Sequence, residues 1–89
     1  MQSIKQAAER EMKRMKGIMK SLKITKKSKL AFHFLDFAES YFKDGIYFSK
    51  EKKFIESFEA FVIAWAYIDA GLKLKFFQIP KRQKRHFTA

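Results

Sequence analysis

The chain has no cysteine, so disulfides, thiolate metal sites and thiol nucleophiles are excluded at once. One proline and three glycines in 89 residues are too few for a loop-rich or low-complexity chain. Long apolar runs are missing too. The longest uncharged one, Ala60 to Ile68, is closed by Glu59 and Asp69, whereas a membrane-spanning helix needs about 20 such residues. The amino terminus, MQSIKQAAEREMKR, is charged from Lys5 onward and lacks the apolar segment of a secretory leader. No membrane partner is expected, and the chain reads as soluble and cytoplasmic. Acids are scarce: nine Asp/Glu against twenty Lys/Arg leave a formal net charge of +11.

What is present is a core. The sequence is 47% hydrophobic and 17% aromatic, ample for a domain that must bury roughly 60–65% of its unfolded surface. Three helical segments are readable. Ser3 followed by Gln6 has the form of a capping box. After it, Ile4, Ala8, Met12, Met15, Met19 and Leu22 recur in steps of three and four as one helical stripe. A second helix is expected from about Lys29 to Lys50, capped by Thr25 or Ser28. Its apolar positions cover about half the circumference, which places it centrally. A third is expected from about Phe54 to Lys75, with Phe54, Phe58, Phe61, Trp65, Ile68 and Leu72 as its main stripe. Short connections make sequential helices antiparallel neighbours. The expected fold is therefore all-α: an up-down-up three-helix bundle over residues 1–79, with FFQIP folded back on it. A basic flexible tail is expected over residues 80–89.

Within IAWAYIDAGLKL (63–74) stands one acid, Asp69. At 3.6 residues per turn it falls about 60° from Phe54, inside the apolar arc. It is expected to be a buried structural acid that fixes helix register, because a buried carboxylate needs a partner. Lys16, Lys23, His33 and the free N–H groups opening the second helix are the candidates.

FIESFEAFVIAWAYIDAGLKLKFF (54–77) resembles the last helix of an archaeal family designated domain of unknown function 357. Ala64, Ile68, Asp69, Ala70 and Gly71 match that family's pattern, and YFKDGIYF (41–48) resembles its Tyr-x-x-Asp…Phe helix. The likeness spans about residues 30–77 and implies a three-helix bundle with no assigned activity. It also implies that Asp69 and a secondary acid, Asp44, are signature positions. The chain departs from the family at Ala66, at Lys52-Lys53 in place of a Gly-Asp turn, and at Lys75, where glycine is frequent.

No catalytic constellation emerges. Asp44 is a flank residue placed to pair with Arg10, several turns along the bundle from Asp69, too far for a carboxylate pair. His33, Asp36 and Glu39 share a helix without the facing Glu-x-x-His pairs of a helical metal site. His33 and His86 have no Ser or Cys nucleophile at a recognisable spacing, and no Gly-rich phosphate loop exists. The expectation is a non-enzyme with no cofactor and no metal.

Two surfaces remain. Ile63, Tyr67, Ala70 and Leu74 lie opposite the core stripe of the third helix, and an apolar face left wet marks an interface, so either the FFQI tail or a second copy is expected to cover it. The first functional expectation is a helical interaction module that self-associates there as a homodimer or takes a helical protein partner. The second surface is basic. Residues 1–29 carry ten basic and two acidic side chains, a net of +8; residues 72–89 carry +6; the hairpin between them carries −3. Lys13, Lys16, Lys20, Lys23 and Lys27 step along the first helix over about 21 Å if it persists. Lys81, Arg82, Lys84 and Arg85 follow in the tail. The alternative expectation is nonspecific nucleic-acid binding by these residues, since like charges so arrayed gain from a polyanion.

Overall fold

A computed structural model describes residues 3–87. Three helices dominate: α1 (Ile4–Ser21), α2 (Lys29–Lys50) and α3 (Phe54–Lys73). The capping box forms as expected. Ser3 Oγ accepts from the Gln6 amide at 3.1 Å, and Gln6 Oε1 accepts from the Ser3 amide at 3.0 Å. Ser28, rather than Thr25, caps α2 by accepting from the Ala31 amide. The all-α three-helix bundle is the observed architecture.

Small residues bring α2 and α3 together. Ala38, Gly45, Ser57, Ala60 and Ala64 are buried, and the Phe61 ring lies over Gly45 with no exposed surface of its own. Ser57 Oγ donates to the Gly45 carbonyl at 2.7 Å, tying the two backbones across the seam. α1 lays Met15 and Ile18 on this pair and completes the main core with Ile68 and Ile79.

Two short strands were not foreseen. β1 (Lys23–Ile24) pairs antiparallel with β2 (Phe77–Gln78), with Ile24 opposite Phe77. The FFQI segment does fold back. Phe76 and Phe77 form a second, smaller core with Ala31, and Phe77 packs directly on Gly71. The glycine of Asp-Ala-Gly thus has a steric reason: a Cβ there would occupy the space of the Phe77 ring.

The basic stripe and the tail both need correction. α1 stops at Ser21, so Lys23 sits on β1 and Lys27 in the loop after it, off the helical row. Beyond Pro80, which cannot extend a strand ladder, residues Lys81–His86 form a 3-10 helix that lies across the bundle as a strap, and Phe87 packs on Trp65. The strap is therefore docked rather than free, and the last two residues of the expected tail lie outside those described.

Both turns that end α2 and α3 close with paired backbone bonds of the Schellman type. Lys53 N donates to Phe48 O and Lys52 N to Ser49 O; Phe76 N donates to Gly71 O and Lys75 N to Leu72 O. The left-handed residues are Lys52 (φ 59°) and Lys75 (φ 62°). A side chain at such a position costs about 1 kcal/mol relative to glycine. Lys75→Gly is therefore expected to stabilise the protein by about 1 kcal/mol, raising Tm by roughly 4–8 °C in a domain of this size. A thermal melt checks this, and an unchanged or lower Tm would show that the Lys75 side chain contributes more than the backbone loses.

Candidate functional site

Asp69 does not enter the bundle core. Its side chain is 27% exposed, and Oδ2 accepts from Lys73 Nζ at 3.0 Å, one turn along the same helix. None of Lys16, Lys23 or His33 reaches it. A partner on its own helix cannot set register between helices, so that role is corrected. Oδ1 is shielded from solvent and has no hydrogen-bond donor among the described residues. Asp44 is exposed on α2 and makes no ion pair among the described residues, and Arg10 pairs with its neighbour Glu11.

The acid that ties helices together is Glu11. It is 9% exposed, and its Oε2 accepts from Trp65 Nε1 at 2.9 Å, joining α1 to α3. Its Oε1 takes Arg10 Nε at 3.3 Å and Arg14 Nη1 at 3.4 Å. The signal was available in the sequence: Ala8, Glu11, Met15 and Ile18, the buried residues of α1, fall in steps of three and four.

The outer face of α3 also differs from the expected one. Tyr67 does not face solvent alone: its ring stacks on Phe37 (centroids 5.1 Å) and Tyr41 (6.1 Å) and meets Phe34 edge-on (5.8 Å), all from α2. Ala70 is half-buried. Ile63 and Leu74 stay exposed on α3 and Leu30 and Phe37 on α2, and of these Phe37 stacks on Tyr67 across the α2–α3 seam.

The basic residues come together through the strap. Ser21 Oγ donates to Gln83 Oε1 at 2.6 Å, and the strap passes over Gly17, where the Gln83 amide would stand 3.7 Å from a Cβ. At the far end, the Trp65 ring meets Phe87 at 4.7 Å and His86 at 6.1 Å. The result is a groove of about 360 Å³ with Lys13 and Arg14 of α1 on one side and Arg82 and Arg85 of the strap on the other. Lys16, Lys20, Lys81 and Lys84 are exposed on the same two elements, while Lys23 and Lys27 lie beyond the end of α1. Among the described residues, Lys13, Arg82 and Arg85 have no carboxylate partner. The sequence marks Trp65 only as a core residue and does not mark Arg14 or Gln83, because the part each plays in the groove depends on the strap docking.

His86 forms part of the groove floor. Burial lowers its pKa, the positive fields of Arg14 and Arg85 lower it further, and Glu11 opposes them. Behind it opens an apolar cleft of about 340 Å³ between Phe58, Val62, Trp65 and Phe87, with Glu11 and Asp69 at its edge. Among the described residues no three His, Asp or Glu side chains converge as metal ligands, and none of their helices is long and apolar enough to cross a membrane.

Residues 5–77 match the family described as protein of unknown function, DUF357. The chain belongs to that family. Among solved structures, this DUF357 chain is similar to a crystal structure of a DUF357 protein from Archaeoglobus fulgidus, with a TM-score of 0.74 and 21% identity. The alignment covers 86% of the present chain and 93% of the other, and at that identity it speaks for the fold alone. No curated protein matches the DUF357 chain.

Proposed function

We propose that the protein binds nucleic acid nonspecifically, holding phosphates in the groove between α1 and the strap. The observation that carries this reading is the docking of Arg82 and Arg85 opposite Lys13 and Arg14, which joins two basic segments far apart in sequence. Guanidinium and ammonium groups on a phosphate backbone give affinity without reading bases. The reading is one of binding and derives no catalytic step. Four phosphate contacts on a single strand correspond to a salt slope of about −3, or roughly a 50-fold loss of affinity between 50 and 200 mM salt. Titration with single-stranded RNA and DNA at those two concentrations tests it. Arg82→Glu/Arg85→Glu is expected to weaken binding at least about tenfold and to flatten the slope. Binding that is absent at low salt, or indifferent to salt, defeats the proposal.

A second reading keeps self-association, moved from the outer face of α3 to the α2–α3 seam. Leu30, Phe37, Ile63 and Leu74 are between 39% and 51% exposed around Tyr67, an apolar strip of the kind that marks interfaces. The hairpin carries a net −3, so two copies meeting there keep their basic segments apart. Phe37→Glu/Leu74→Glu is expected to convert a dimer to a monomer in sedimentation. A wild-type protein already monomeric at high concentration removes this reading.

A further inference from the structure

The strap is held at its two ends. At its start Ile79 is buried in the main core, and at its finish Phe87 and His86 rest on the Trp65 ring. Between these anchors, Ser21 and Gln83 make the one hydrogen bond that joins strap to α1 among the described residues. Lys81, Arg82, Lys84 and Arg85 are all exposed. Docking sets Arg82 and Arg85 across the groove from Lys13 and Arg14, so cation faces cation. No acid lines the groove among the described residues, and Glu11, which pairs with Arg14, is also engaged by Arg10 and Trp65. Charge repulsion therefore opposes the docked state, and ring packing on Trp65 favours it.

We propose that the strap is an anion-dependent latch: phosphates in the groove screen the facing cations and hold the strap down on Trp65. Without them the strap lifts, and Phe87 and His86 leave the indole. This rests on the groove being a phosphate site, as the proposed function requires. A ligand that binds the docked state better shifts the population toward it by its differential affinity. By reciprocity, weakening the latch must weaken phosphate binding. Phe87 contributes only ring packing, so Phe87→Ala loosens the latch while leaving all the cations in place.

The chain has one tryptophan, so Trp65 fluorescence reports the latch directly. The experiment uses the full chain and inorganic polyphosphate, which does not absorb where tryptophan emits. Polyphosphate is expected to shift Trp65 emission to shorter wavelength and to protect it from acrylamide, saturating with the binding curve. In Phe87→Ala, unchanged in helix content, the shift is expected to vanish and the Kd for polyphosphate to rise about fivefold or more. Arg82→Lys/Arg85→Lys, which keeps the charge, is expected to retain the shift. Tight binding with no change at Trp65, or an equal Kd for wild type and Phe87→Ala, overturns the latch and leaves the phosphate groove standing. Failure of polyphosphate to bind at low salt overturns both.

Discussion

Gly45→Ala is expected to destabilise the protein by about 2 kcal/mol, lowering Tm by roughly 10 °C. The sign is the informative part. On an exposed helix face the same change stabilises by about 1 kcal/mol, because alanine is the better helix former. At Gly45 an added Cβ would overlap three atoms of the Phe61 ring. That ring has nowhere to go. It is fully buried, Phe42 lies 5.9 Å from its centroid, and it belongs to the same core as Met15, Ile18 and Ile68. Overpacking of this kind typically costs 1–3 kcal/mol, in this seam on the order of 3 before the propensity gain is set against it. The backbones cannot part cheaply either, since Ser57 bonds to the Gly45 carbonyl. Urea unfolding of Gly45→Ala, Phe61→Leu and the double variant settles the cause. Shortening Phe61 costs stability alone but should recover part of the loss in the alanine background. Strict additivity, or a Gly45→Ala protein as stable as wild type, would show that the ring is not what requires glycine.

Glu11→Ala is expected to cost about 2–3 kcal/mol. It leaves the Trp65 indole N–H without an acceptor and removes the common partner of two guanidiniums. An orphaned, part-buried donor costs about 1–3 kcal/mol. Arg10 and Arg14 are each 42% exposed and regain water, so they add little. In a cycle with Trp65→Phe, the two changes should couple by about 1–2 kcal/mol, because each removes one end of the same bond. The mutant should also bind polyanions more tightly than wild type, since Arg14 beside the groove loses its counter-charge. Asp69→Ala makes the contrast: its one partner among the described residues is an exposed lysine one turn away, and the change is expected to cost less than about 1 kcal/mol. If Asp69→Ala proves as damaging as Glu11→Ala, then Glu11 is not the acid that holds the helices together.

These two acids mark where sequence reasoning ran well and where it did not. Helix limits were legible because capping and periodicity are local: Ser3 with Gln6, Ser28, and the apolar spacing of α2 and α3 place each element to within two residues. The bundle followed from short connections, and the family resemblance at Asp69-Ala70-Gly71 agreed with it. Which face meets which neighbour was less legible. α1 leans on α3 through Glu11 and Trp65 rather than sharing itself evenly, so the wheel of α3 is rotated from the expected one: Tyr67 turns to α2 and Asp69 to the cleft beside the strap. The two-residue strands carry no period to detect, and the 3-10 strap follows a proline in a run of charges that reads as solvated chain. Nothing local announces that Phe87 will find an indole twenty-two positions upstream.

That strap divides the molecule in another respect. The family match covers residues 5–77 and takes in α1, with Lys13 and Arg14, and the whole hairpin. The strap lies past its end. One wall of the groove is thus built from inherited framework and the other from residues the family pattern does not describe. A relative that keeps the bundle but carries neutral or acidic residues after β2 would have the same shape without the groove. Membership in the family therefore transfers the scaffold from one chain to the next, and leaves the basic wall of the groove to be decided by the dozen residues after it.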